Sequence, residues 1–359
     1  MSVPSVIGFA VGITLAATVW TDARAQSAAD FYRSKELTIL VGSDAGGGYD
    51  TYVRAMAHYW QRYIPGRPSI VIKAMPGAGG IKMQNFIANQ APRDGSTIGA
   101  TRSIFLVEPL IQGSQYSNYD PRKMNWIGNI SPQQTACFVW NTRPIRTVQD
   151  AMKQQVLIGQ TSARSNGAIL TNVFNALIGT KFKVITGFSS TGVYLAMERG
   201  EVDGGCLSYA TVSAAAPRLI DDHKLNFLVQ IGLTRSKQLP EVPAAGEFIT
   251  SETDRQVVQL LMASLVMGRP YVAPEGVPID RLDALRTSFM ETMKDSEFLT
   301  QSEKQHLFVD PSDHDEMEAL VAEAYRIPAA AVEKTRAILA AAEQGSGSVR
   351  GRSGEESGD

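Results

Sequence analysis

Much of what would announce a catalytic or nucleic-acid-binding protein is missing from this sequence. Its 34 Lys and Arg against 36 Asp and Glu leave a net charge of −2. No basic stripe or cluster breaks that balance, which argues against a nucleic-acid partner. There are two cysteines and four histidines. No C-x-x-C occurs, and no histidine stands at metal-ligand spacing from a second strong ligand, so no metal site is assigned. The run around His314 reads as a solvated loop and a helix start. No G-x-S-x-G follows a strand, which excludes a nucleophile elbow. No nucleophile–base pair stands out, so no catalytic residue and no cofactor are assigned. No repeat with a period of 20 to 50 residues is present. Beyond Val19 no stretch is long and apolar enough to cross a membrane.

The apolar run Val3–Val19 is itself short of something, since no Lys or Arg precedes it. It contains Gly8 and Gly12, lies near the lower length limit for a span, and is followed by the small-x-small site Ala23-Arg24-Ala25. Residues 1–25 therefore read as a signal peptide cut after Ala25, with a retained anchor as the alternative. The expected location is periplasmic. An oxidising compartment permits a disulfide without requiring one. Cys137 and Cys206 fall in strand-like segments of one domain. The expectation is two buried free thiols, with a disulfide as the alternative.

What is present is an ordinary globular composition, 44% hydrophobic and 19% charged over 359 residues, enough chain for two domains. Strand and helix patterns alternate. Leu37–Val41 reads as a strand. The next segment, 52–63, carries Val53, Met56, Ala57, Trp60 and Ile64 on one helical face, and Pro65-Gly66 stops it. Strands are expected at 69–74, 97–101, 126–130, 136–140, 156–159, 183–185, 202–207 and 225–231. Such alternation argues an α/β fold with parallel pairing. The last third reads as helical, at 255–261, 279–294, 296–305 and 317–339. Residues 344–359 are Gly, Ser and charge, too poor in apolar surface to order themselves, and read as a disordered tail.

The glycines concentrate at strand ends. Gly42, Gly46, Gly47 and Gly48 do not give the G-x-G-x-x-G spacing of a dinucleotide site. Gly42 and Gly47 have P-loop separation, but Gly48-Tyr49 stands where Lys-Ser/Thr is required. A strand, a glycine turn and a helix N-terminus remain, a place suited to a small anion such as a carboxylate. The alternative is that these glycines only make a tight turn. Further loops carry similar chemistry: Met75–Gly80, Thr101–Phe105 with Arg102 and Ser103, and Gly159–Gly167 with Thr161, Ser162, Arg164, Ser165 and Asn166. In open α/β sheets ligands sit outside the carboxyl ends of strands.

An ordered set of short motifs resembles one family. Ala45-Gly46-Gly47-Gly48-Tyr49-Asp50 matches the A-G-G-x-x-D loop of the tripartite tricarboxylate transporter receptors, the Bug proteins. Pro76-Gly77-Ala78-Gly79-Gly80 matches their P-G-A-G-G turn. Residues 91–97, Tyr119-Asp120-Pro121, 199–203, Leu239-Pro240-Glu241-Val242-Pro243 and 273–278 resemble further family motifs, with Arg93 inserted and Ser96 in place of Tyr in the first. The set runs from about residue 31 to residue 338.

This resemblance implies a type II periplasmic binding protein fold, two α/β lobes joined by two crossover strands with a ligand cleft between them. Lobe 1 would comprise 31–130 plus 255–343, and lobe 2 residues 131–254. It implies a receptor that takes a small organic carboxylate and hands it to a membrane permease of one large and one small subunit; a monomer is expected. A receptor presenting its ligand to a sensor kinase, or an enzyme on the same fold, are the alternatives. Carried over by residue, Ala45, Gly46, Gly47, Gly48, Tyr49 and Asp50 would form one jaw, with Ser43 and Asp44 as binding candidates beside it and helix capping favoured for Asp50. Thr161–Asn166 would form the other, and Asp203 would orient that loop or ligand waters. The family often has apolar or aromatic residues where Ser43 and Asp44 stand, and Asp44 places a negative charge beside an anion site. Arg164 is the favoured charged partner for a carboxylate. Tyr49, Phe105 and Phe188 are candidates to stack on an aromatic ligand. Micromolar binding needs about 8 kcal/mol, a helix terminus contributes roughly 0.3–1 and a charged hydrogen bond about 1.5–3. One loop is not enough, so both lobes must close on the ligand.

Overall fold

The computed structural model describes residues 26–112, 116–189 and 191–345. The expected signal peptide, and the expected tail from 346 onward, lie outside the described residues.

In chain order the strands are β1 (Leu37–Val41), β2 (Ile70–Ala74), β3 (Thr97–Ala100), β4 (Asn125–Asn129), β5 (Thr135–Trp140), β6 (Val156–Gln160), β7 (Phe182–Thr186), β8 (Gly204–Ser208), β9 (Leu225–Gln230) and β10 (Pro270–Ala273). They form two five-stranded sheets, ordered β2-β1-β3-β10-β4 and β7-β6-β8-β5-β9. In the first, β1 runs parallel to β2 and β3, while β10 is antiparallel to β3 and β4. In the second, β6 runs parallel to β7 and β8, while β5 is antiparallel to β8 and β9. The two lobes thus repeat one topology. The chain crosses from the first sheet to the second between β4 and β5 and returns between β9 and β10. Each sheet therefore takes its odd strand, β5 or β10, from just after a crossing. This is the two-lobed α/β architecture of periplasmic binding proteins.

Helical spacing places Val53, Met56, Ala57 and Trp60 of Gly48–Tyr63 in the core, and the Trp60 indole donates to Ser288 Oγ at 2.9 Å. A second buried cluster continues across the lobes. It takes Leu40 and Met83 from the first, Val139, Ile158 and Phe174 from the second, and Leu261 and Val332 from the C-terminal helices. Helix Ala329–Gly345 packs on both Glu108–Gln112 and Asn166–Ile178, one from each side of the cleft.

Three expectations are corrected. The thiols are not free, because Cys137 and Cys206 form a disulfide. They are directly opposite one another on antiparallel β5 and β8, with Cα atoms 3.9 Å apart, and opposed residues share a sheet face. The last third is not all helical, since Pro270–Ala273 completes the first sheet. The helix expected over 317–339 is two, His314–Ala324 and Ala329–Gly345, interrupted at Ile327-Pro328 because proline cannot donate into the preceding turn. The second of these runs through Gly345, slightly into the stretch expected to be disordered.

Candidate functional site

The first glycine loop owes its composition to two constraints. Gly46 has φ +78°, a left-handed backbone that side chains disfavour. Gly48, first residue of its helix, faces the second lobe, and a Cβ there would meet the side chain of Thr211, with Cγ2 at 3.0 Å. Asp50 supports the turn from the third helical position. Its Oδ2 accepts from Gly46 N and from Arg54 Nε, each at 2.8 Å, tying the residue before the N-cap Gly47 to the first turn of the helix. Asp50 is buried and holds the turn that precedes the helix, where it was expected to cap the helix start. No side-chain cap covers the helix start itself.

A second glycine contact lies alongside. Gly79 has φ +68°, and a Cβ there would approach Ser162 Oγ and the Arg164 carbonyl oxygen within 2.9 and 3.0 Å. Glycines of the first lobe thus let a helix, Tyr209–Ala215, and a loop of the second lobe come against bare backbone.

Polar side chains tie the same faces together. Arg102, at the end of β3, is buried and ion-paired with fully buried Glu108. Its Nη1 donates across the cleft to the Arg164 carbonyl oxygen at 3.0 Å and to Asn166 Oδ1 at 3.2 Å. Asn166 Nδ2 donates back to Ser103 Oγ at 2.6 Å and to Tyr49 Oη at 3.4 Å. Tyr49 Oη in turn donates to Gln133 Oε1 and accepts from Ser103 N, both at 3.1 Å. Glu108 also accepts from Gln112 and Tyr119 at 3.2 Å. Burial first, and then the Glu108 charge, hold the Tyr119 phenol well above its ordinary pKa.

These contacts surround a cavity of about 240 Å³, below the roughly 300–1,000 Å³ of drug-sized sites and therefore suited to a small metabolite. The first lobe contributes Ser43, Asp44, Gly48, Tyr49, Arg102 and the Pro76–Gly80 turn. The second contributes Thr161, Ser162, Ser165, Asn166, Ser208 and Thr211, and Gln133 and Thr135 line it near the first crossover. Two helix N-termini, at Gly48 and Asn166, reach this wall from opposite lobes. Four buried polar atoms of lining residues have no hydrogen-bond partner among the described residues: Arg102 Nε, Thr135 Oγ1, Ser162 Oγ and Ser208 Oγ. Buried polar groups are seldom left so. All four belong to residues around this one cavity.

Other expected site residues stand elsewhere. Ala45, Gly46, Gly47 and Asp50 build the turn without lining the cavity, and Ser103 is one layer behind it. The Arg164 guanidinium stacks on Tyr116, 3.7 Å from the ring centroid, and its residue is outside the cavity wall. Phe188 packs with the second lobe's core near Gly159. Phe105 is buried and stacked on Tyr119 at 4.3 Å. Asp203 accepts from Leu157 N at 2.8 Å and pairs with Arg143 at 3.1 Å, at the start of β6 and thus at the far end from the loop it was expected to orient. Near His314, Asp313 is the N-cap of its helix, accepting from Glu316 N at 3.0 Å.

Sequence reasoning missed Gln133, Thr135, Ser208 and Thr211. Ser208 ends β8, so the strand-end rule was available for it, but the strand was expected to stop one residue earlier. Thr211 and Gln133 gave no local signal. Arg269 was missed as well. It is buried, has no ion pair among the described residues, and lies over the rings of Tyr49 and Tyr52 at 4.8 and 4.3 Å.

A family model described as the tripartite tricarboxylate transporter family receptor matches residues 61–335. A UPF0065 protein in the gbd 5′ region of Cupriavidus necator is 25% identical over 278 residues, covering 75% of this chain and 78% of that protein. Among solved structures, the periplasmic binding protein BugD superposes with a TM-score of 0.66 at 16% identity, over 86% of this chain and 98% of that one. An R. palustris protein solved with adipate gives 0.65 at 17% identity, over 86% and 98% of the two chains. At these identities the superpositions establish the fold.

Proposed function

The chain belongs to the tripartite tricarboxylate transporter receptor family, a family of solute-binding proteins, and on that premise we propose that it captures a small organic carboxylate in the interlobe cavity by hinge closure. The observation that carries this reading is the meeting of two helix N-termini from opposite lobes at one cavity edged by buried, unpartnered donors. Helix N-termini favour anions through their free N–H groups and dipole. The two crossings between sheets supply a hinge, and the reciprocal bonds of Arg102 and Asn166 supply contacts that only a closed cleft can make. The adipate in a structural relative is consistent with this ligand class.

In this reading the protein is exported to the periplasm, works as a monomer without catalysis, and delivers its ligand to a permease of one large and one small subunit. A thermal-shift screen of the purified protein against mono-, di- and tricarboxylates tests the ligand class. A ligand at 100 times its Kd adds about 2.7 kcal/mol of stability. Stabilisation by one class of carboxylate supports the proposal, and no stabilisation by any of them refutes it. Loss of uptake of that same solute on gene deletion tests delivery.

A further inference from the structure

The cavity carries charge of both signs in an unusual arrangement. Its Asp44 carboxylate makes no hydrogen bond and no ion pair among the described residues. Arg102 does not offset it, because its charge is already met by Glu108. An uncompensated positive charge, Arg269, stands behind the wall, 3% exposed and not itself lining the cavity. Its Nη2 donates to Thr211 Oγ1 at 3.2 Å, while its Nε and Nη1 have no partner among the described residues. Thr211 and Tyr49, the groups that Arg269 touches, are both in the cavity wall. A buried cation without a carboxylate is costly, and stacking on two tyrosines offsets only part of that.

We propose that the ligand is a carboxylate that also bears an ammonium group, its ammonium received by Asp44 and its carboxylate held at the Gly48 and Asn166 helix starts within the field of Arg269. This rests on the carboxylate-receptor reading and narrows it. A ligand with two carboxylates and no cationic group would place one of them against Asp44, in a partly desolvated cavity where like charges repel strongly. A zwitterion satisfies both poles, and its net charge of zero matches the sum of Asp44 and Arg269.

Isothermal titration with matched sets decides the matter: butyrate, 2-hydroxybutyrate and 2-aminobutyrate; succinate, malate and aspartate; adipate and 2-aminoadipate. In each set that binds, the amino member is expected to bind at least tenfold more tightly than its unsubstituted parent, equivalent to about 1.4 kcal/mol. In Asp44→Asn, a near-isosteric change at a partly exposed side chain, that advantage shrinks below threefold. Arg269→Gln weakens parent and amino member alike. Parents that bind as well as their amino partners, hydroxy members that match the amino members, or an amino advantage that survives Asp44→Asn would overturn the assignment while leaving the carboxylate receptor intact. Binding by no member of any set would overturn the receptor reading, and this inference with it.

Discussion

Arg102 Nη1 donates to the main-chain oxygen of Arg164, 3.0 Å away and 62 residues along the chain. One arginine is thus a buried strut between the lobes, while the other offers its backbone to that strut and lays its guanidinium on Tyr116.

Because Arg102 answers fully buried Glu108, Arg102→Met leaves a carboxylate stranded in the interior. The expected cost is about 3–5 kcal/mol, and the double variant with Glu108→Gln should recover a large part of it. Urea denaturation of the four proteins measures this. An additive double variant would mean that the pair is not coupled as the geometry requires.

Gly48→Ala puts a methyl group into Thr211, with Cγ2 only 3.0 Å from the new atom. Ligand affinity should fall at least tenfold, about 1.4 kcal/mol, as the lobes are held apart. Adding Thr211→Ala removes the two nearest crowding atoms, Oγ1 and Cγ2, while leaving Cβ at 3.1 Å, and should restore part of the affinity. Titration with whichever carboxylate stabilises the protein reads both, and no rescue would place the effect in the turn instead.

The Cys137–Cys206 bond closes a loop spanning 69 residues of separation. Loop-closure entropy for that length gives about 4 kcal/mol of stabilisation. Replacing both cysteines by serine should therefore lower the unfolding free energy by a few kcal/mol. Thermal melts with and without reductant should converge in the serine variant and differ in the parent.

Glu247 predicts an acid-side effect. Its carboxyl is held at about 2, from an ordinary 4.5, first by the Arg235 side chain and then by the Ala244 N–H. A depressed pKa in the folded state contributes stability above the unfolded value, and this is lost as pH falls from about 4.5 toward 2. Both side chains are more than a third exposed, at 42% and 37%, so screening limits the contribution to about 1 kcal/mol or less. Arg235→Gln should flatten the decline between pH 5 and 2 by that amount. Equal slopes for the two proteins in denaturant titrations across that window would dispose of it.

Legibility followed locality. The helix face of Val53, Met56 and Trp60 and the strand ends could be read within a few residues, because side-chain periodicity and glycine backbone preferences act over that range. The cavity loops at Ser43–Asp44 and Thr161–Asn166 were legible for the same reason, as loops at strand ends. Arg102 and Arg164 were both expected at the cleft, with Arg164 favoured as the charged partner. Both follow strands, and only the fold shows that Arg102 lines the cavity while pairing with buried Glu108 and that the Arg164 guanidinium lies on Tyr116. Thr211, Gln133 and Arg269 had no local signal, since their part in the site depends on how the second lobe and the crossovers meet the first.

By itself the sequence determined the alternating strand–turn–helix units, the ordered motifs of the receptor family, and a glycine turn whose φ at Gly46 needs no tertiary partner. Tertiary structure alone decided that Cys137 faces Cys206, that Gly48 is bare for Thr211, and that Arg269 lies against the Tyr49 and Thr211 wall of the cavity that Asp44 lines. The reason is range. Backbone preference is settled among neighbours in the chain, whereas sheet order and the approach of two lobes set which distant side chains share a buried space.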